Sequence, residues 1–207
     1  MPSPTTISVV RHGHIINERD VFHGRLPGFP LSEEGVSQAQ SAAGALLDDP
    51  IAVIFTSPML RARQTAHILQ EARPEQPPIQ EEPRLNEVYT PFDGRPKAEL
   101  DARDWDLYTG TDPQYEQPQT VLNRALAFLH RVRRLYAGQY IVGVTHADLL
   151  AFLWLWVLRQ PVTVDNRRRL DEFGLPVAYP ETASVSTFIF ETLDPEERPQ
   201  YNYTRPY

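Results

Sequence analysis

The sequence of 207 residues predicts an α/β fold, a three-layer α/β/α sandwich in which helices cover both faces of a mostly parallel central sheet. Short runs of β-branched residues alternate along the chain with longer segments whose apolar residues recur at helical spacing. Polar residues that can take part in catalysis or binding follow several of the strand-like runs. Ligands of open α/β sheets bind at the carboxyl ends of the strands. We therefore expect His12, Arg61 and His146 to converge there.

The first strand–helix unit begins with residues 7–10, which predict a buried strand. A Gly/Pro-rich loop follows and leads to Ser32, the expected N-cap of a helix with two glutamates in its positive first turn. The inward face of this helix is predicted from helical spacing as Val36, Ala39, Ala43 and Leu46.

The second unit repeats this pattern with a strand in "IAVIFT", residues 51–56. Ser57 is the predicted N-cap of the next helix and Pro58 its first residue. The helix would bury Met59, Ala62, Ala66 and Leu69, and it leaves Arg61 in the first turn near the free amides.

The rest of the chain continues the alternation of elements. Residues 73–96 are punctuated by prolines and predict a surface excursion with one short strand. A helix is expected from about 119 to 136 with leucines and Val132 facing inward, and a strand at 140–145 that ends before His146. The apolar run 149–158 is too short to span a bilayer and predicts a buried helix. Residues 183–191 predict a late strand, and the tail is expected to form an edge strand or irregular structure.

Size and composition narrow the class of protein. The length suits one domain over residues 1–207. A formal charge of −7 provides no field that would attract nucleic acid or an anionic membrane, so an anionic ligand needs a local cluster of arginines. The absence of cysteine excludes thiol catalysis and zinc–thiolate sites. The first residues do not resemble a secretion signal, and we expect a cytoplasmic protein.

The stretch "VVRHGH" places an arginine and two histidines where the first strand ends. Three interpretations are open at this point. His12 can be a nucleophile beside an anion clamp, His12 and His14 can be metal ligands, or the segment can be a polar loop without chemistry.

Five motifs occur in one order along the chain: "VVRHG", "PLSEEGVSQA", "FTSPMLRARQTA", "LNE...FDG" and "VGVTHADLL". In this order they resemble the histidine phosphatase superfamily, which has the phosphoglycerate-mutase-like fold. The resemblance covers roughly the first three quarters of the chain, and the ordered set is far more specific than Arg-His-Gly alone.

The resemblance implies that His12 is the nucleophile, which forms a phosphohistidine and divides one displacement into two easier ones. It also implies that Arg11, Arg61 and His146 hold the phosphoryl oxygens. This role agrees with the need for fixed positive charge around a phosphoryl group during its transfer. Glu87 matches the general acid of the family. No metal or other cofactor is implied.

Two further residues are predicted to contact substrate, Asn17 and Arg25. Asn17 approaches the position of a family asparagine, although the segment is one residue short, and His14 replaces a more usual acidic or amide residue. Arg25 and His23 lie in the loop after the nucleophile, where the alternative to substrate contact, a solvated loop, is favoured. Asp148 is interpreted as structural, and residues 167–169 as a solvated face or a rim above the site.

The predicted function is a metal-independent phosphomonoester hydrolase that acts on a small phosphorylated metabolite. Three rival functions compete with it. A metal hydrolase needs further ligands on later strands. A phosphoglycerate mutase or other phosphomutase has a longer segment after its Glu than "EVYTPFDGRP". The presence of all four core residues argues against a catalytically silent phosphate-binding protein, although the altered first loop around His14 leaves that alternative open. The physiological substrate and the oligomeric state are not predicted.

Overall fold

The computed structural model describes residues 3–207 and contains a six-stranded sheet in the order β3-β2-β4-β1-β5-β6. Strands β1 to β4 run parallel to one another, whereas β5 pairs antiparallel with β1 and β6 antiparallel with β5. The predicted mostly parallel α/β sheet is confirmed. The strands are β1 Thr5–Arg11, β2 Ile51–Thr56, β3 Ile79–Glu81, β4 Tyr140–Thr145, β5 Val185–Phe190 and β6 Gln200–Thr204.

Helices cover both faces of the sheet. They are α1 Glu33–Ala45, α2 Leu60–Glu71, α3 Lys97–Asp101, α4 Pro118–Leu135 and α5 Ala147–Val157. Because successive residues of a strand point to opposite faces, Val9 packs in the apolar cluster under α4 and α5, and Val10 packs in the cluster under α1 and α2. This gives the three predicted layers. The organisation of residues 1–207 as one domain stays a prediction.

The start of α1 agrees with the prediction, whereas the start of α2 does not. Ser32 Oγ accepts a hydrogen bond from the Gly35 amide at 3.1 Å, as an N-cap does. The predicted Ser57 cap of α2 is wrong, because α2 begins at Leu60 after Met59 and has no side-chain cap. Ser57 lies two residues too early, and its hydroxyl accepts from the Met59 amide at 3.3 Å and lies 2.8 Å from His146 Nε2.

One predicted core position of α1 is also wrong. Val36 is 37% exposed, whereas Ala39 and Ala43 are buried as expected. The helix presents small residues to its neighbours, and Gly35 lies so close to the loop after β1 that a Cβ there would be 1.9 Å from the His14 carbonyl oxygen. This close approach sets the rotation of α1 and turns Val36 outward.

The second half of the chain forms the elements that the sequence predicted. The apolar run forms the buried helix α5, and the excursion after α2 contains β3 as its short strand. The tail contributes β6 at the sheet edge. Within residues 3–207, no helix combines the length and the apolar character that crossing a membrane requires. The cytoplasmic location stays a prediction.

Candidate active site

The site lies at the carboxyl edge of three neighbouring parallel strands. His12 follows β1, His146 follows β4 and Ser57 follows β2, so the order β2-β4-β1 brings them together. Arg61 reaches the same place from the first turn of α2. Glu87 arrives from the loop that leaves the 3₁₀ turn Pro83–Leu85. The predicted convergence of His12, Arg61 and His146 is therefore seen in the structure.

The backbone and one ring nitrogen fix the orientation of His12. Its amide donates to the Thr145 carbonyl at 3.0 Å, and its Nδ1 lies 2.8 Å from the Gly13 carbonyl oxygen. A carbonyl only accepts, so Nδ1 has the proton and the Nε2 lone pair is left for another partner. Arg61 Nε donates to that Nε2 at 3.1 Å. The His12 side chain is 3% exposed.

The Arg61 guanidinium forms the centre of the cluster and is 1% exposed. Besides the bond to His12, one terminal nitrogen donates to Glu87 Oε2 at 3.2 Å and to the Gly24 carbonyl at 2.9 Å. The same nitrogen lies 3.1 Å from His146 Nδ1. A single buried cation thus contacts the proposed nucleophile, the acid and the second histidine.

Glu87 and His146 complete the cluster. The two atoms Glu87 Oε2 and His146 Nδ1 are 3.2 Å apart, and Glu87 Oε1 accepts from the Val88 amide at 3.0 Å. His146 Nε2 lies 2.8 Å from the hydroxyl of Ser57. Sequence analysis assigned Ser57 only to helix capping and missed this contact, because nothing in the motif indicates which way the hydroxyl turns.

Burial sets the charge of these groups. It lowers the pKa of His12 well below the usual 6.5, and the nearby Arg61, His146 and Arg11 charges lower it further. Burial likewise lowers the pKa of His146 to about 4. Burial opposes ionisation of Glu87, but His146 and Arg61 beside it and the Val88 amide outweigh this and hold the pKa of Glu87 well below its usual range. The cluster therefore contains neutral imidazoles and an ionised carboxylate at neutral pH.

A pocket with a cavity volume of about 130 Å³ opens beside His12 and Glu87. Arg11 lines it from the end of β1 and donates from one terminal nitrogen to the Pro180 carbonyl at 2.7 Å. Its buried Nε has no hydrogen-bond partner among the described residues, so it is a free donor beside the pocket. The other lining residues are Phe22, His23, Trp105, Leu107, Ala147, Asp148, Arg167, Arg168 and Tyr179.

The far wall contains a second buried ion pair. Arg167 Nε donates to Asp148 Oδ1 at 3.0 Å, and the Tyr108 hydroxyl donates to Asp148 Oδ2 at 2.5 Å. The Tyr179 hydroxyl also binds Oδ1. The predicted solvated face at residues 167–169 is thus wrong for Arg167, which is 3% exposed, because the loop folds back over the pocket and pairs it with Asp148. Arg168 and Arg169 are exposed as expected.

The two other predicted substrate contacts lie outside this pocket. The Asn17 amide donates to the Val21 carbonyl at 2.8 Å and lines a separate recess on the other side of His12. Arg25 lies behind Glu87, where its Nε donates to the Glu87 carbonyl at 2.8 Å and a terminal nitrogen pairs with Glu116 at 3.1 Å. Its guanidinium holds the loop that contains Glu87 and does not line the pocket.

The structure separates the two histidines of the His-Gly-His stretch. His14 is exposed, and its Nδ1 lies 2.9 Å from the Ser32 hydroxyl at the start of α1. Among residues 3–207, the group able to hold a metal ion is His12, Glu87 and His146, whose donor atoms lie within 4.8 Å of one another. Arg61 already donates to this group, so the space among the donors is occupied by a fixed cation.

His23 is a residue whose place sequence analysis did not predict. Its ring centroid is 6.3 Å from that of His12, and it lines the pocket, where burial lowers its pKa to about 3. Trp105 and Tyr179 were also missed. They lie in loops far apart in the chain and belong to no motif, so no sequence signal could place them together.

Comparison with known proteins identifies the family. The model of the histidine phosphatase superfamily (branch 1) matches residues 7–181. An uncharacterized protein of Mycobacterium tuberculosis is 33% identical over 176 residues, which are 82% of this chain and 86% of that protein. The adenosylcobalamin/alpha-ribazole phosphatase of Salmonella typhi is 29% identical and aligned over 74% of this chain and 79% of its own length. A 2,3-bisphosphoglycerate-dependent phosphoglycerate mutase of Gloeobacter violaceus is 29% identical, and the alignment covers 84% of this chain and 85% of the mutase.

Solved structures show the same fold. The native structure of a mycobacterial glucosyl-3-phosphoglycerate phosphatase superposes with a TM-score of 0.74 at 22% identity and covers 97% of each chain. The chain belongs to the histidine phosphatase superfamily, as its motifs predicted. The predicted phosphoglycerate-mutase-like fold and the predicted class, an enzyme of the histidine phosphatase type, are confirmed.

Proposed function

We propose that the protein hydrolyses a phosphomonoester of a small metabolite, without a metal ion, through a phosphohistidine on His12. The observation that supports this most is the pair of contacts at the His12 ring. Nδ1 is held by the Gly13 carbonyl, and Nε2 points its lone pair at Arg61 inside the cluster. The ring is thus fixed, neutral and nucleophilic at the nitrogen that faces the anion-binding groups.

In the first step, a bond forms between His12 Nε2 and phosphorus while the bond from phosphorus to the ester oxygen breaks. Charge on the transferring group is spread over its equatorial oxygens, so fixed donors around it lower the barrier. Arg61 would exchange its bond with the Nε2 lone pair for a bond to a phosphoryl oxygen. The free Nε of Arg11 and the imidazole of His146 would bind the other oxygens.

Glu87 is proposed to supply the proton that the leaving alkoxide needs. In the unliganded protein, Arg61 and His146 hold this carboxyl ionised. A bound phosphoryl dianion brings negative charge next to Glu87 and draws the donors of Arg61 to itself, and both effects raise the pKa of the carboxyl. The acid would therefore be protonated when substrate is bound.

In the second step, a water molecule attacks the phosphohistidine. Glu87, now a carboxylate, accepts a proton from the water, the new oxygen bonds to phosphorus, and the bond to Nε2 breaks. Inorganic phosphate leaves and His12 returns to its neutral form. The alcohol released in the first step and the phosphate of the second account for all atoms of the ester and the water.

The central position of Arg61 supports a reaction without a metal ion. Its guanidinium contacts the three residues whose donor atoms are close enough to bind one. A cation added among them would meet the positive charge of Arg61 at short range. The fixed guanidinium provides the charge that a metal would otherwise provide.

The decisive experiment is hydrolysis of p-nitrophenyl phosphate by wild type and His12→Ala, with and without EDTA. We expect wild-type activity that survives EDTA, and a loss of at least about 10³-fold in the variant together with loss of the acid-labile phosphoenzyme. His67→Ala, an exposed histidine on α2, is the matched control and should keep full activity.

Other outcomes would contradict the proposal in different ways. Activity that requires added metal would favour the metal-hydrolase interpretation of the cluster. Conversion of 3-phosphoglycerate to 2-phosphoglycerate without phosphate release would identify a mutase. Binding of phosphate without any turnover would identify a silent binding protein.

A further inference from the structure

Apolar and aromatic side chains line the pocket beside the pair of Arg167 and Asp148. Phe22 and Leu107 are buried in this wall, and Trp105 and Tyr179 are partly exposed toward the cavity. The rings of Phe22 and Trp105 meet edge to face, with centroids 6.4 Å apart. A substrate whose phosphoryl group lies at His12 extends its leaving group along this surface.

Two charged groups of the wall, Asp148 and Arg167, are already paired with each other. Asp148 accepts from Tyr108, Tyr179 and Arg167. Arg167 also donates to the carbonyl oxygens of Val164 and Trp105. The hydroxyl groups of a polyol placed here would leave water without gaining these partners, and sites that select hydroxylated substrates provide free donors and acceptors for them.

The backbone at Trp105 is a second, independent observation. Asp104 and Trp105 have φ of +50° and +57°, the left-handed region that favours glycine. Trp105 is held there by a bond from its amide to the Leu100 carbonyl at 2.8 Å, by its indole N–H on Asp101 at 2.7 Å, and by Arg167 on its carbonyl. A large aromatic residue kept in an unfavourable conformation at a pocket wall indicates that the ring itself is needed there.

We infer that this wall is a binding subsite for a flat aromatic ring, so that the enzyme prefers phosphomonoesters whose alcohol contains such a ring over polyol phosphates. The inference rests on the proposed function and extends it to the class of substrate. Trp105 determines the specificity by covering one face of the ring, and Phe22 supports Trp105 from its edge.

The test compares the hydrolysis of benzyl phosphate with that of glycerol 3-phosphate. Their leaving alcohols are of similar acidity, so a difference in kcat/KM is due to binding of the ring and not to the reactivity of the leaving group. For wild type we expect kcat/KM for benzyl phosphate to be at least about tenfold higher. Trp105→Gly removes the ring and suits the left-handed backbone. It should abolish the preference by raising KM for benzyl phosphate, so that the ratio of kcat/KM for benzyl phosphate to that for glycerol 3-phosphate falls to about one.

Two further variants separate the subsite from folding effects. Trp105→Phe keeps an aromatic face and should retain most of the preference. Trp156→Ala is the matched control, since Trp156 lies on α5 outside the pocket and its ring contacts Arg198. It should retain the full preference.

Equal kcat/KM for the two esters in wild type would overturn the inference while leaving the proposed phosphatase intact. A preference that survives in Trp105→Gly would overturn the assignment to this wall. If neither ester is hydrolysed, activity on p-nitrophenyl phosphate decides the proposed function, and calorimetric binding of benzylphosphonate against 2-hydroxyethylphosphonate decides the subsite separately. Tighter binding of the benzyl compound that is lost in Trp105→Gly supports it, and equal binding overturns it.

Discussion

Two buried pairs of arginine and carboxylate lie beside the same pocket, and they differ in their other partners. Arg61 pairs with Glu87 at 3.2 Å, and Arg167 pairs with Asp148 at 3.0 Å. The first pair also contacts the rings of His12 and His146, which burial keeps neutral, together with the Gly24 carbonyl and the Val88 amide. The other contacts of the second pair include two tyrosine hydroxyls and backbone carbonyls.

The difference indicates which pair can exchange partners with a substrate. Asp148 accepts hydrogen bonds from Arg167, Tyr108 and Tyr179, so breaking these contacts leaves buried polar groups unpaired. The donors of Arg61 are shared among His12, Glu87 and His146, and a phosphoryl oxygen is a better acceptor than a neutral imidazole. The same two residue types thus form an exchangeable pair in one place and a fixed pair in the other.

The largest expected effect comes from removing each arginine in turn. Arg61→Ala should lower kcat by about 10²–10³-fold, because a donor to the transferring phosphoryl group is lost. Arg167→Ala should lower kcat by less than about tenfold and should instead cost about 3–5 kcal/mol of unfolding free energy, because Asp148 stays buried without its cation. Steady-state kinetics and urea denaturation measure the two effects. Equal losses of kcat in both variants would show that the pairs do not differ in function.

The two carboxylates provide the next comparison. Glu87→Gln should slow hydrolysis of alkyl phosphates by about 10²-fold or more but of p-nitrophenyl phosphate by less than about tenfold, because nitrophenolate leaves without a proton. Asp148→Asn should change both substrates by similar factors. The ratio of the two rates in each variant is the measurement. A ratio unchanged by Glu87→Gln would remove Glu87 from the role of the acid.

The neutral imidazoles of the exchangeable pair predict a pH dependence of stability. His146 has a pKa of about 4 in the folded protein against 6.5 when unfolded, so the unfolded chain binds more protons between these values. Stability is therefore lost as pH falls below 6.5, by about 1.4 kcal/mol per pH unit at most from this group, and His12 acts in the same direction. Urea denaturation between pH 7.5 and 4.5 should show the decline.

His146→Asn should reduce the slope of the unfolding free energy against pH, whereas His67→Asn, on the exposed side of α2, should leave this slope unchanged. A slope that is the same in wild type and His146→Asn would mean that other groups cause the acid sensitivity.

The smallest effect is expected from removing one hydrogen bond of the fixed pair. Tyr108→Phe removes one hydrogen bond to Asp148 while keeping the buried ring, and it should cost about 1–2 kcal/mol of unfolding free energy. Its kcat should stay within about twofold of wild type, since Tyr108 does not line the pocket. A large loss of kcat would mean that the second pair positions the reacting groups and is not only structural.

Local signals in the sequence determined the layers of the fold and the residues at the carboxyl edge of the sheet. The strand-like runs, the Ser32 cap and the helical spacing depend on neighbours within a few residues, so they can be seen without a structure. His12 and His146 follow strands that pair in parallel, and their meeting required only that the sheet form. The roles given to the site residues stay predictions.

Only the tertiary structure decided which charged side chains are buried and with which partners. Arg167 and Arg168 are neighbours in the chain, yet one is buried against Asp148 and the other is exposed, because a loop closes over the pocket. Ser57, His23 and Trp105 reach the site through contacts between segments far apart in sequence. Such contacts depend on packing across the whole domain, which periodicity and motifs do not encode.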